Sequence, residues 1–186
     1  MKSQRYTTWE LVAIVILGVV TGALNGIFST LWAALFAMGG SYLANIIFGI
    51  FYLGPMLAAY LVRKPGAALI CGVIQGLVEV VAGTPFGFIA VGWTVLQALG
   101  IEVGFLIFRY KQWNWGVVAL AAFLAGPFNY PLTFFVFSLA KTPLFSLPAY
   151  VFGWLTGIVL AGFLGKLIGE GVARTGATTG LGISQA

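Results

Sequence analysis

Apolar residues run through this chain in long stretches, broken by short sites that carry charges, glycine or proline. A bilayer core about 30 Å thick takes roughly 20 apolar residues per helix. On that measure the pattern predicts spans from about Trp9 to Asn25, Ser41 to Val62, Gly66 to Gly83, Ile89 to Phe108, Trp115 to Ser138 and Ala149 to Glu170. Residues 26–40 (GIFSTLWAALFAMGG) are apolar but too short for a further crossing. They read as an outer loop folded back on the protein, because lipid-exposed irregular backbone is not tolerated. Residues 171–186 are rich in Gly, Ala and Thr without an apolar period, which predicts a flexible tail. The expected architecture is an all-α integral membrane protein, a compact bundle of six transmembrane helices, with residues 1–170 forming one membrane domain.

Charge gives this bundle an orientation. Eight of the nine basic residues fall at every second break: Lys2 and Arg5, Arg63 and Lys64, Arg109 and Lys111, Lys166 and Arg174. The intervening breaks carry only Lys141. Basic loops are retained in the cytoplasm, so both termini are expected inside, in a multi-pass protein of a bacterial plasma membrane. A crossing by residues 27–38 would move every later loop to the other side and destroy this bias. The first apolar run shows no small-residue cleavage site and reads as an anchor.

Composition narrows the chemistry. The chain is 61% apolar and only 7% charged, with a mean hydropathy of +1.05, against about 25% charged residues in soluble domains. The sequence pI near 9.6 follows from the basic loops and needs no nucleic acid partner. Histidine is absent and cysteine occurs once, which removes a disulfide framework, a cysteine-built metal cluster and the usual neutral-pH proton shuttle. No phosphate-binding glycine loop follows a strand, and no ATP site is visible. No inverted repeat of the kind found in autonomous secondary transporters appears. Neither catalytic nor metal-ligating residues are expected.

Ionisable residues inside a bilayer are costly and mark functional sites. Glu79 lies roughly 20 Å along the third helix from its inner end, with Gln75 one turn deeper on the same face. Gln97 lies about 10 Å from the outer end of the fourth helix, and Trp93 is one turn above it. Asn129 falls at a comparable height within Gly126-Pro127-Phe128-Asn129-Tyr130-Pro131, where two prolines four apart free backbone carbonyls. Tyr150 and Trp154 share a face of the sixth helix. Phe28, Trp32, Phe86 and Phe145 add rings from the outer loops. An interfacial belt accounts for some of these rings, but not for Glu79, Gln97 and Asn129 at one depth. Such a pocket suits a flat, nitrogen-rich, partly cationic molecule, since aromatic faces attract cations and stack on heterocycles. Glu102, about 140° around its helix from Gln97, is open to three readings: a floor of the pocket, a partner for Arg109 or another base, or a protonated core carboxyl.

Small residues recur every fourth position in Gly18-Gly22-Gly26, in Ala68-Gly72-Gly76 and in Gly153-Gly157-Ala161-Gly165-Gly169. Such stripes allow close helix approach, inside the bundle or against another membrane protein. Gly18, Gly22 and Gly26 are the first choice for docking a partner, because a terminal helix is easily left at the edge of a bundle.

Taken together, six helices, an apolar first loop, aromatic outer loops and an outer-half pocket resemble the substrate-binding S components of energy-coupling-factor (ECF) vitamin transporters. Residues 7–28 (TTWELVAIVILGVVTGALNGIF) and 86–108 (FGFIAVGWTVLQALGIEVGFLIF) resemble the YkoE-like thiamin/hydroxymethylpyrimidine group, and the likeness extends over about residues 5–170. The resemblance implies a vitamin-binding subunit that works with a transmembrane coupling subunit and cytoplasmic ATPase subunits. It also implies thiamin or its hydroxymethylpyrimidine precursor as ligand, with no cofactor. Glu79 is then the residue that meets the aminopyrimidine, with Gln97 and Asn129 completing the edge contacts. Trp93, Trp32, Phe86, Tyr150 and Trp154 are the sandwiching rings. Two other functions fit the residues alone: a small proton-coupled exporter of lipophilic cations, and a membrane scaffold whose polar cluster only joins helices.

Overall fold

The computed structural model of the chain describes residues 5–139, 147–176 and 178–185. Its helices are α1 (Thr8–Ala44), α2 (Leu53–Val62), α3 (Ala67–Val81), α4 (Ile89–Ile107), α5 (Trp115–Leu139), α6 (Leu147–Gly157) and α7 (Leu164–Arg174). A 3-10 segment, Asn45–Tyr52, leads into α2, and a π-helical segment, Ile158–Phe163, joins α6 to α7. No strand occurs among the described residues. The helical runs Thr8–Val62, Ile89–Ile107, Trp115–Phe137 and Leu147–Arg174 are long and apolar enough to cross a bilayer, and Ala67–Val81 is shorter but apolar.

α1 departs from the expected helix-then-loop. A capping box starts it: Thr7 Oγ1 accepts from Glu10 N at 3.2 Å, and the Glu10 carboxylate accepts from Thr7 N at 2.8 Å. The helix then passes Asn25 without a break, so residues 26–38 are helical and not a folded-back loop. At 1.5 Å per residue the run to Met38 is roughly 46 Å, longer than a hydrocarbon core. It ends where Gly39 (φ −144°, ψ 15°) and Gly40 (φ 69°, ψ −162°) leave helical geometry; the left-handed φ of Gly40 suits a residue without Cβ. The chain then doubles back. Asn25 meets Phe51, and Ile14 clusters with Ala58 and Val62.

Glycines set the packing. A Cβ at Gly18 would lie 2.8 Å from Ile74 Cγ2, one at Gly22 2.6 Å from the Gln75 carbonyl, and one at Gly26 2.6 Å from Ala82 Cβ. α1 and α3 therefore run side by side in the same direction, and the Gly18-Gly22-Gly26 stripe is filled by α3. It does not face outward for a partner. What α1 turns outward is its large apolar side, with Ile16, Val20 and Ile27 more than half exposed, as a lipid-facing helix requires. Gly72 and Gly76 pack on Thr94 and Val91 of α4, and Gly100 and Gly104 pack on Leu124 and Ala121 of α5. Both of these pairs are antiparallel. Gly165 and Gly169 seat on Met56 and Tyr60 of α2.

Apart from Glu79, the charged residues described collect at one end of the bundle. Lys64 Nζ bonds Glu10 at 2.7 Å. The Arg63 guanidinium lies over the rings of Trp113 and Tyr60. Lys166 Nζ donates to the Trp113 carbonyl at 2.9 Å and lies 4.6 Å from the Trp115 ring centroid. Tyr6, beside this cluster, donates its hydroxyl to the Pro65 carbonyl; burial and the nearby carboxylates push its pKa up to about 12. Part of the segment expected as a flexible tail packs on this end. α7 continues to Arg174, and Thr178 and Leu181 are buried, with Leu181 beside Trp9, Leu17, Leu61 and Val172.

Candidate functional site

At the opposite end, α1, the 3-10 segment, α3, α4, α5 and α6 surround a small cavity, with about 50 Å³ open to the centre of a water-sized sphere. It is lined by Ser29, Trp32, Phe48, Phe51, Glu79, Phe86, Ala90, Trp93, Thr94, Gln97, Asn129, Thr133, Phe137 and Tyr150. Seven of the residues selected from sequence meet here: Glu79, Gln97, Asn129, Trp93, Trp32, Phe86 and Tyr150. The described residues hold no group of three His, Cys, Asp or Glu side chains.

Glu79 lies in the last turn of α3, 3% exposed, with its carboxyl near the side chains of Asn25 and Thr84. Gln97 and Trp93 lie one turn apart on α4. Both carry buried polar atoms without a protein partner, Gln97 Oε1 and Trp93 Nε1. A buried acceptor and a buried donor left open in one cavity are costly; a ligand edge offering the complementary pair would relieve both. Asn129 faces the same space from α5 and accepts from the Thr133 hydroxyl, at 3.4 Å to Oδ1 and 3.2 Å to its carbonyl.

Rings close the mouth. Phe86 lies edge-on to both Trp32 (5.7 Å, 72°) and Trp93 (5.1 Å, 80°). Trp93 and Phe137 are nearly parallel, 9° apart with centroids at 6.3 Å. Trp32 stacks on Phe36 at 5.1 Å. Because α1 continues as helix past Asn25, Trp32 is held by a rigid element and not by a loop. Phe86 is carried by the α3–α4 turn, where Gly83 and Gly87 both have left-handed φ and Thr84 Oγ1 accepts from Phe86 N.

Two residues selected from sequence lie elsewhere. Trp154, one turn beyond Tyr150, packs behind the cavity on Phe123 and Tyr130. Glu102 is at the basic end. Its carboxylate accepts from the backbone N–H groups of Gly66 (3.0 Å), Ala68 (2.8 Å) and Leu69 (3.4 Å), and from the Tyr110 hydroxyl. It caps the N-terminus of α3, whose first N–H groups have no helical acceptor. Removing it should cost about 3 kcal/mol through those stranded donors. Glu102→Ala is therefore expected to lower the melting temperature markedly, while ligand affinity of the folded fraction, measured by titration, stays the same. Phe28 is not in the lining, and Phe145 lies outside the described residues.

Phe137, Thr133, Phe48 and Phe51 were not singled out from sequence. Phe137 and Thr133 were legible, since Asn129, Thr133 and Phe137 repeat every fourth residue on one face. Phe48 and Phe51 come from the 3-10 segment, whose period no α-helical pattern reveals.

Comparison with known proteins places this geometry. The family described as ABC-type cobalt transport system, permease component, matches residues 9–128. A Bacillus subtilis (strain 168) protein named as an HMP/thiamine permease, YkoE, is 31% identical over 182 residues, covering 96% of this chain and 92% of that protein. A crystal structure of an S component of an ECF transporter superposes with a TM-score of 0.91 at 30% identity, covering 97% of this chain and 92% of that one.

Proposed function

Since this chain belongs to the ABC-type cobalt transport permease family and is an S component of the ECF type, a multi-pass plasma-membrane binding subunit and not an enzyme, we propose that it captures thiamin or its hydroxymethylpyrimidine precursor for ATP-driven uptake. The observation that carries this reading is the cavity itself, lined by a buried carboxyl, an open amide oxygen, an open indole N–H and several aromatic rings. An aminopyrimidine donates and accepts along one edge and presents a flat face. In this reading Glu79, Gln97 and Asn129 meet its edge, and Trp93, Trp32, Phe86, Tyr150 and Phe137 enclose it. The rival readings as exporter or scaffold give way to the family membership.

The cobalt of the family description does not suit this donor set. Transition-metal ions favour imidazole and thiolate ligands. The chain has no histidine, and Cys71 is buried among Ile14, Ala58, Val62 and Ala67, away from the cavity.

Six crossings with both termini in the cytoplasm are supported by the alternating directions of the packed segments and by the basic residues gathered at one end. The pocket then opens outward. Release inward needs energy that this chain does not generate, so a transmembrane coupling subunit and ATPase subunits complete the transporter. The surface that docks the coupling subunit lies outside Gly18, Gly22 and Gly26. Vesicles holding this chain with its coupling and ATPase subunits are expected to accumulate labelled thiamin or hydroxymethylpyrimidine only with ATP. Accumulation of neither compound in vesicles whose assembly is verified by co-purification contradicts the reading.

A further inference from the structure

A second hollow opens on the outside of the bundle, at the basic end. Its walls are Trp9, Val12 and Ile16 of α1, Leu61 of α2, Val172 of α7 and Leu181 of the tail, and about 200 Å³ of it is open to the centre of a water-sized sphere. Thr178 is the one residue in this lining with a polar side chain. Trp9, Val12 and Ile16 are 56%, 37% and 55% exposed, so the groove looks outward to the bilayer. From Trp9 to Leu17 it follows α1 for roughly 12 Å, within one leaflet of a hydrocarbon core about 30 Å thick. The tail shuts its end: Gly180 passes beside Trp9, and Gly182 seats on the Val62 carbonyl and on Arg63.

An apolar hollow open to lipid does not stay empty, because its walls forfeit dispersion contacts, and water would find a single hydroxyl there. Charge selects the head that follows the chain. Arg5 lies four positions before Trp9 and Arg174 two positions after Val172, both exposed. Other bases of this end are engaged within the protein: Lys64 by Glu10, Arg63 by the Trp113 and Tyr60 rings, and Lys166 by the Trp113 carbonyl. We propose that this groove is a binding site for an anionic phospholipid, with one acyl chain between α1 and α7 and the phosphate met by Arg5 and Arg174. Guanidinium groups match phosphate oxygens in pairs, and basic residues at a membrane surface draw anionic lipids. The bound chain completes the packing between α1, α7 and the tail.

Native mass spectrometry of the delipidated full chain tests this, with phosphatidylglycerol and phosphatidylcholine of identical acyl chains as probes and melting temperature read alongside. The wild type is expected to hold one phosphatidylglycerol, with a Kd on the order of tenfold below that for phosphatidylcholine. Ala13→Phe narrows the groove and should weaken both lipids by about tenfold or more. Arg5→Gln combined with Arg174→Gln should weaken phosphatidylglycerol alone and bring the two lipids to a similar Kd. Val20→Phe, on an exposed part of α1 outside the groove, should change neither. Should Ala13→Phe not fold, Val172→Phe on the facing wall carries the same comparison. Equal Kd for the two lipids in the wild type, or a preference that survives loss of both arginines, overturns the anionic site. Unchanged lipid binding in the folded groove variant overturns the groove as its place. If that variant instead loses self-association or co-purification with the coupling subunit, a second copy or that subunit is the occupant.

Discussion

Glu79→Gln is expected to weaken binding of thiamin or hydroxymethylpyrimidine by about 1.5–3 kcal/mol, the range for hydrogen bonds to a charged group, or roughly ten- to a hundredfold in Kd. The amide has the shape of the carboxylate, so the fold should be retained and the melting temperature nearly unchanged. What changes is the donor pattern. Asn25 and Thr84 lie near the Glu79 carboxyl, and the amide replaces one of its two acceptor oxygens with a donor. It also removes the negative charge from a cavity whose other polar groups are neutral. Titration of the wild type and the variant by intrinsic Trp fluorescence checks this. Equal affinities in a folded sample would remove Glu79 from the site.

Gly22→Leu should abolish both stability and ligand binding. A single Cβ at Gly22 would lie 2.6 Å from the Gln75 carbonyl oxygen and 2.8 Å from Val78 Cβ. Neither neighbour is the free end of a flexible side chain, so α1 and α3 must separate. The loss should exceed the ~1–3 kcal/mol of ordinary overpacking. Ser29 and Trp32 of α1 line the same cavity as Glu79 of α3, so separation also moves them apart, and this is why binding falls with stability. The measurement is thermal unfolding together with probe titration of the isolated protein. A folded Gly22→Leu protein that binds ligand but fails in ATP-dependent uptake would instead place a partner on the stripe.

Much of the helix layout was legible because its punctuation is chemical. Arg63-Lys64-Pro65-Gly66, Gly83-Thr84-Pro85 and Arg109-Tyr110-Lys111 mark turns by charge and by backbone geometry, and the helices between them fall within a residue or two of expectation. Residues 26–38 were misread because the expected length of a crossing ended α1 at Asn25, whereas the only local breaker is Gly39-Gly40. The glycine stripe is visible in sequence, but its partner is not: small residues at a four-residue spacing look alike whether a neighbour comes from the same chain or another. Glu102 was ambiguous for a related reason. Its role is set by N–H groups of Gly66, Ala68 and Leu69, more than 30 positions earlier, and a backbone donor leaves no side-chain signal. The polar members of the cavity were more accessible, since burying Glu79, Gln97 and Asn129 at one height in an apolar chain requires a reason. Phe48 and Phe51 gave no such signal, being apolar residues in a 3-10 segment.

The central claim is that one thiamin-like heterocycle occupies the cavity beneath Trp32, Trp93 and Phe137. It is tested most directly by titrating the purified protein with thiamin, with hydroxymethylpyrimidine and with a set of lipophilic cationic dyes while following Trp fluorescence. Saturable quenching by thiamin or hydroxymethylpyrimidine at one ligand per chain, lost in Trp93→Ala and absent with the dyes, is the predicted result. Weak binding of many dyes without preference, or no saturable change with either vitamin compound, contradicts it.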